Sequence, residues 1–311
     1  MVVAWLPYST VQDARESVGD VSGLEIEVFG EPDAPLPTRT DDVELVVLPN
    51  AGGGAVWDVL RQRPMPRLRA IQLGSAGYEH MVAVTPPGVA LCNAGGVHDA
   101  GTAELAMALT LANLRCLDTY ARDQAQHRWN GVFSSSLADR RVLILGYGRI
   151  GAAVERRLAG FEPASIVRVG RTERADPPVH AVARLGDLLP DVDVVIITAP
   201  ATPETTGLLD SDMLRRLPDG ALVVNVGRGS IIDTDAMVAE AGRLRFALDV
   251  TDPEPLPAGH PLWDAPHVTI APHVGGYCTA YRPRMDRLIR QQLDRLVTGE
   301  PFLNVVNGGL I

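Results

Sequence analysis

The sequence predicts an α/β chain of two domains, each built on a parallel sheet. Three observations predict this. Apolar runs of strand length alternate with helix-compatible segments from end to end. One strand-to-helix junction carries Gly146-Tyr147-Gly148-Arg149-Ile150-Gly151, a G-x-G-x-x-G spacing. The 311 residues, 46% hydrophobic and 21% charged, suffice for two proper cores in an ordinary globular protein.

In the first domain, strands are expected at Val2–Leu6, Leu24–Phe29, Val43–Leu48, Leu68–Leu73 and Val89–Cys92. Helical segments fall at Val11–Val18 and Ala55–Arg61, with turns at Gly52-Gly53-Gly54 and Pro64–Pro66. Gly74-Ser75-Ala76-Gly77 follows directly on a strand. Such a loop either offers bare N–H groups to an anion or is a plain tight turn, and the tetrapeptide leaves both open. Cys92–Gly96 is the first domain crossing. Thr102–Asn113 is apolar nearly all round, which predicts burial between domains or against a second subunit. Arg122–Trp129 is polar and reads as surface.

In the second domain the strands are Val142–Leu145, Ser165–Val169, Val192–Thr198, Ala221–Val226, Phe246–Val250 and Val268–Ile270. Helices Arg149–Leu158, Ser211–Leu217 and Asp233–Ala241 complete a doubly wound pattern. Tyr281–Val297 is a closing amphipathic helix, with Met285, Leu288, Ile289, Leu293, Leu296 and Val297 on one side. At the glycine junction, Gly146 permits the tight turn, Gly148 lets a pyrophosphate approach the backbone, and Gly151 lets the helix pack on the strand. The start of that helix presents free N–H groups and a positive dipole end to phosphates. An NAD-type site carries an acid about 20 residues beyond the glycines, on the ribose 2′-OH. Here Gly170 and Arg171 stand in its place, followed by Thr172 and Arg174. An arginine can fork onto a 2′-phosphate that an acid would repel, so NADPH is expected to be preferred, with NADH possible. Arg171 is the first residue expected to carry that preference.

A net charge of −10 without any basic block excludes a nucleic-acid partner. Cys92, Cys116 and Cys278 lie far apart with neither a disulfide framework nor metal-ligand spacing, which reads as reduced thiols in a cytoplasm and no metal. Met1–Pro7 has no basic n-region and reads as a first strand, not a signal peptide. No run approaches the roughly 18 apolar residues of a membrane span.

Three polar groups follow strands of the second domain, at the edge where doubly wound sheets bind ligands. Arg228, between Gly227 and Gly229, can hold a carboxylate through two parallel hydrogen bonds. Asp249–Pro255 supplies carboxylates. His273 lies between Pro272 and Val274-Gly275-Gly276. A carboxylate beside a histidine favours imidazolium, and an arginine nearby anchors an anionic carbonyl substrate. With a nicotinamide, that set describes reduction of a 2-oxo acid to a 2-hydroxy acid.

These motifs, with Thr202-Pro203-Glu204-Thr205 and the closing Asn304-Val305-Val306, resemble the D-isomer-specific 2-hydroxyacid dehydrogenase family over nearly the whole chain. The resemblance implies a Rossmann-type nucleotide domain at 97–276. It also implies a smaller flavodoxin-like α/β substrate domain at 1–96 and 277–311, closing as a lid. It implies NAD(P)H-dependent reduction of a small 2-oxo acid of the glyoxylate or hydroxypyruvate class to the D-2-hydroxy acid. By that similarity Arg228 binds the substrate carboxylate and carbonyl, His273 protonates the carbonyl oxygen, and Glu254 orients His273. The Ser75, Ala76 and Gly77 backbone holds the carboxylate, with Tyr78 beside it where many relatives carry a small aliphatic residue. Asp249 touches the nicotinamide amide, Arg149-Ile150 the pyrophosphate, and Pro200 and Thr205 join the cofactor set. The resemblance further implies a homodimer through the apolar helix from Thr102. His98-Asp99 replaces the commoner polar residue of the crossing. Formate dehydrogenases of similar sequence have glutamine where Glu254 stands, and the longer phosphoglycerate dehydrogenases add a regulatory domain beyond the length of this chain. A nucleotide-sensing corepressor scaffold on the same fold is the alternative from another class.

Overall fold

A computed structural model describes residues 2–30, 37, 39–50 and 64–307. The expected helix Ala55–Arg61 and the Gly52–Gly54 turn lie outside the described residues. The chain divides into two compact units, Met1–His98 with Thr279–Ile311, and Asp99–Cys278.

The first unit holds β1 (Val2–Leu6), β2 (Leu24–Val28), β3 (Val43–Val47), β4 (Ala70–Gln72) and β5 (Ala90–Cys92) in the parallel order β2-β1-β3-β4-β5. That is the flavodoxin-like order. α1 (Val11–Val18) starts at Thr10, whose side chain accepts the N–H of Asp13, and ends at Gly19 with φ +75°. α2 is a single turn, Glu79–Val82. The closing helix, Tyr281–Thr298, buries Met285, Leu288, Ile289, Leu293 and Leu296 against Leu6, Leu45 and Val47. Val297, expected on that side, is at the exposed margin instead. Gln292, one turn from Leu288, is fully buried because Gln72 and the Leu303 backbone satisfy its amide.

The second unit begins with α3 (Asp99–Leu114) and α4 (Leu117–Ala125). Its sheet contains β6 (Arg141–Leu145), β7 (Ser165–Gly170), β8 (His180–Ala181), β9 (Val194–Ile197), β10 (Leu222–Asn225), β11 (Arg245–Leu248) and β12 (Val268–Ile270). All pair in parallel, in the order β12-β11-β10-β9-β6-β7-β8. The central strands are buried on both faces, which is why they read as unbroken apolar runs. The order reverses between β6 and β9, so the switch point lies at the glycine junction after β6. β6 leads through that junction into α5 (Arg149–Leu158). α6 (Leu185–Leu188), α7 (Ser211–Arg215) and α8 (Thr234–Glu240) follow, the last two capped by Asp210 and Asp233.

α3 packs against α5, β10 and β11 of its own unit, with Ala108 exposed and Leu105, Leu111 and Ala112 only partly buried. The polar stretch Arg122–Trp129 lies at the surface as expected, apart from Asp123, which is buried and bonded by Arg128 and Asn130. β8 has two residues, too few for any periodic signal, and is held by Val169 and Gly170. Among the described residues no helix is long and apolar enough to cross a membrane.

Candidate active site

Arg228, Glu254 and His273 follow β10, β11 and β12, which are adjacent and parallel, so all three leave the same edge of one sheet. The loop after β10 is forced into place by its glycines. A Cβ on Gly227 would stand 2.5 Å from the Ala199 carbonyl, and one on Gly229 would stand 2.0 Å from that of Thr251. Neither position accepts a side chain without moving backbone. Buried Asn225 closes the loop, accepting from Gly227 N–H and donating to the Arg228 carbonyl. Arg228 itself is half-buried, and among the described residues only one of its side-chain N–H donors finds an acceptor, the Gly227 carbonyl at 2.8 Å.

His273 Nδ1 and Glu254 Oε1 form a short hydrogen bond, with the side chains 49% and 41% exposed. Because Nδ1 is taken by the carboxylate, Nε2 is the ring's free end. His273 adopts left-handed backbone, φ +53°, which is uncommon for a side-chain-bearing residue. Its N–H is shared between the Asp249 and Ala271 carbonyls at 2.8 and 3.1 Å. Asp249 holds the rest of the loop: Oδ1 accepts from Val274 N–H at 2.7 Å and Oδ2 from Gly275 N–H at 2.9 Å. Burial pushes the Asp249 carboxyl above its usual range, and these two N–H bonds work the other way. This clamp was not visible in the sequence, because it joins residues 25 and 26 positions apart. Gly275 permits it, since a Cβ there would come 2.8 Å from Oδ2.

At the glycine junction each glycine has a distinct steric reason. Gly146 has φ +103°, and its Cβ would lie 2.4 Å from Ala199 N. A Cβ on Gly151 would lie 2.6 Å from the Gly146 carbonyl, so helix and strand could not approach. At Gly148 a Cβ would meet nothing within 4 Å, so the space over its backbone is open. Gly148 is the N-cap of α5 and offers no side-chain cap. An uncapped helix start under an open glycine fits a pyrophosphate. Arg149 beside it is paired with Asp99 at 3.0 Å, and the Thr205 hydroxyl donates to the Pro200 carbonyl at 2.7 Å.

The end of β7 includes Gly170, with Arg171 and Thr172 exposed after it. The sequence reading missed a cluster here. Two guanidinium groups lie near the Tyr147 ring, Arg168 at 5.5 Å and Arg174 at 5.6 Å from its centre. Arg168 pairs with Glu155 of α5 through both Nε and Nη2. Partial burial and then Glu155 push the Tyr147 phenol up. The signal available was an arginine inside an otherwise apolar strand.

In the first unit, the carbonyls of residues 74–77 are all occupied, by His98 Nε2, Ala94 N–H, Asn93 Nδ2 and the Ser75 hydroxyl in turn. The N–H groups of Ser75, Ala76 and Gly77 have no acceptor among the described residues. Tyr78 is half-buried against the cluster containing Trp5 and Met81. His98 stacks on Tyr281 with ring centroids 5.3 Å apart. Among the described residues no three His, Cys, Asp or Glu side chains form a metal cluster.

The sequence profile of D-isomer specific 2-hydroxyacid dehydrogenase, NAD binding domain, matches residues 107–275. A glyoxylate/hydroxypyruvate reductase B from Pectobacterium carotovorum is 30% identical, covering 91% of this chain and 90% of that protein. A glyoxylate reductase/hydroxypyruvate reductase from Mus musculus is 28% identical, covering 93% and 92%. Among solved structures, an NADPH-dependent glyoxylate/hydroxypyruvate reductase from Sinorhizobium meliloti, in complex with citrate, superposes with a TM-score of 0.79. It is 26% identical, with 98% of each chain covered.

Proposed function

The chain belongs to the D-isomer-specific 2-hydroxyacid dehydrogenase family, and from that premise we propose that it reduces a small 2-oxo acid with NADPH. The substrate class is glyoxylate or hydroxypyruvate, the acids in the relatives' names, and where the product is chiral it is the D-2-hydroxy acid. The observation that carries this reading is the His273–Glu254 pair at the same sheet edge as Arg228.

A reduced nicotinamide dinucleotide held by its pyrophosphate at the glycine junction would supply the hydride. His273 gives a proton from Nε2 to the carbonyl oxygen, and Glu254 fixes the ring through Nδ1. Arg228 takes the substrate carboxylate in its fork and polarises the carbonyl. Ser75, Ala76 and Gly77 supply carboxylate-binding N–H groups, with Tyr78 next to them. Gly146, Gly148, Arg149, Ile150 and Gly151 serve the pyrophosphate, Pro200 and Thr205 line the cofactor, and Asp249 reaches the nicotinamide amide. NADPH is preferred because Gly170 leaves no carboxylate at the 2′-position and Arg171, Thr172 and Arg174 offer donors.

A homodimer is part of the reading. Its interface is α3, the apolar helix from Thr102, on which Ala108 is exposed and Leu105 and Leu111 are only partly buried within their unit. Three free thiols suit a reducing cytoplasm.

Steady-state turnover of glyoxylate and hydroxypyruvate with each reduced cofactor tests the proposal. Both acids are expected to be reduced, with kcat/KM at least about tenfold higher for NADPH, as one charge-assisted contact provides. Binding of the dinucleotide with no turnover of any 2-oxo acid would favour the scaffold reading instead.

A further inference from the structure

We propose that Arg174, rather than Arg171, discriminates the 2′-phosphate, and that Tyr147 within the glycine junction is the positioning residue that holds Arg174 there. The inference rests on the NADPH reading above and goes further by moving the contact from Arg171, which the sequence puts first, to Arg174.

Arg174 is fixed at both backbone and side chain. Its backbone forms an antiparallel bridge with Val179, N–H to carbonyl at 3.0 Å and back at 2.9 Å. Its Nη2 donates to the Tyr147 carbonyl at 2.6 Å, and its guanidinium lies 5.6 Å from the centre of the Tyr147 ring. The same Nη2 lies 3.8 Å from where a Cβ on Gly170 would be. Gly170 is the position at which an NAD-type site places its ribose-binding acid. The guanidinium therefore occupies the neighbourhood in which that carboxylate would begin. One of five N–H donors is spent on the Tyr147 carbonyl, which leaves a fork for a phosphomonoester dianion.

Tyr147 is itself held by a second arginine. Arg168 lies 5.5 Å from its ring and is tied to Glu155 through Nε and Nη2. The array Glu155–Arg168–Tyr147–Arg174 thus runs from α5 across the glycine junction to the turn after β7. No hydrogen bond or salt bridge among the described residues holds Arg171, which is exposed. The charge of Arg171 is felt at Glu204, whose carboxyl is held below its usual range, first by the Thr202 hydroxyl and then by backbone and Arg171. An unanchored arginine must lose its rotamer freedom on binding, whereas an anchored one has already lost it.

The test is calorimetric titration of the intact protein with adenosine 2′,5′-bisphosphate and with 5′-AMP, whose affinity ratio reads the 2′-phosphate contact directly. Arg174→Ala is expected to lower that ratio by about 10- to 150-fold, and Arg171→Ala by less than about fivefold. Tyr147→Leu removes the ring and keeps the carbonyl, and should lower the ratio by about three- to tenfold. Tyr147→Phe should restore most of it, since ring and carbonyl remain and only the phenol's contact with Glu155 and Arg168 is lost. A larger loss in Arg171→Ala than in Arg174→Ala would overturn the assignment while leaving the NADPH preference standing. An unchanged ratio in Tyr147→Leu would remove its positioning role. A ratio near one in the native protein would mean that the NADPH reading itself fails.

Discussion

His273 combines a left-handed backbone, a carboxylate on Nδ1 and a free Nε2, and each of these can be removed separately. Asparagine tolerates left-handed backbone and carries no titratable proton. His273→Asn should therefore keep the loop while lowering reduction by about 10²–10⁴-fold, the usual worth of a general acid. Dinucleotide binding, followed by fluorescence, should be near native. Retention of more than a tenth of the native rate would remove His273 from proton transfer. Glu254→Gln keeps a hydrogen-bond partner for Nδ1, whereas Glu254→Ala removes it and lets the ring turn. Reduction should therefore fall further in Glu254→Ala than in Glu254→Gln. Equal rates in the two variants would show that Glu254 does not hold the ring.

At the level of elements, the glycine junction separates folding from binding. Gly151→Ala places a methyl 2.6 Å from the Gly146 carbonyl, which is backbone and cannot rotate aside. Overpacking of this kind costs about 1–3 kcal/mol, so a lowered Tm and weakened dinucleotide binding should appear together. Gly148→Ala puts its methyl into open space and should leave Tm within about 1 °C, an effect below 0.5 kcal/mol. It should weaken dinucleotide binding all the same, by blocking the approach of the pyrophosphate. Native affinity in Gly148→Ala would place the phosphates elsewhere. The junction was legible because its steric demands are local: a strand, three glycines and a helix within eighteen residues. Buried parallel strands were legible for a similar reason, their apolar runs being continuous. The Asp249 clamp on Val274 and Gly275 and the Arg168–Tyr147–Arg174 array were not, because each is made by side chains that meet only after the sheet has formed. The apolar face of α3 was legible as buried, but a helix pattern does not name the surface that buries it.

On the scale of the whole molecule, two units with different sheet orders share one chain that crosses between them twice. Family membership, the nicotinamide-binding fold and the reductase relatives converge on hydride transfer to a 2-oxo acid. The residues proposed to bind and protonate that substrate lie at loops beyond strand ends, where side chains can be varied without disturbing the buried sheets. Stereochemistry tests the proposal most directly, because a fixed arginine, histidine and nicotinamide leave only one face of the carbonyl open to the hydride. The measurement is chiral analysis of the glycerate formed from hydroxypyruvate and NADPH by the purified native protein. D-glycerate alone is expected, and formation of L-glycerate, of a racemate, or of no glycerate would overturn hydride delivery to that one face.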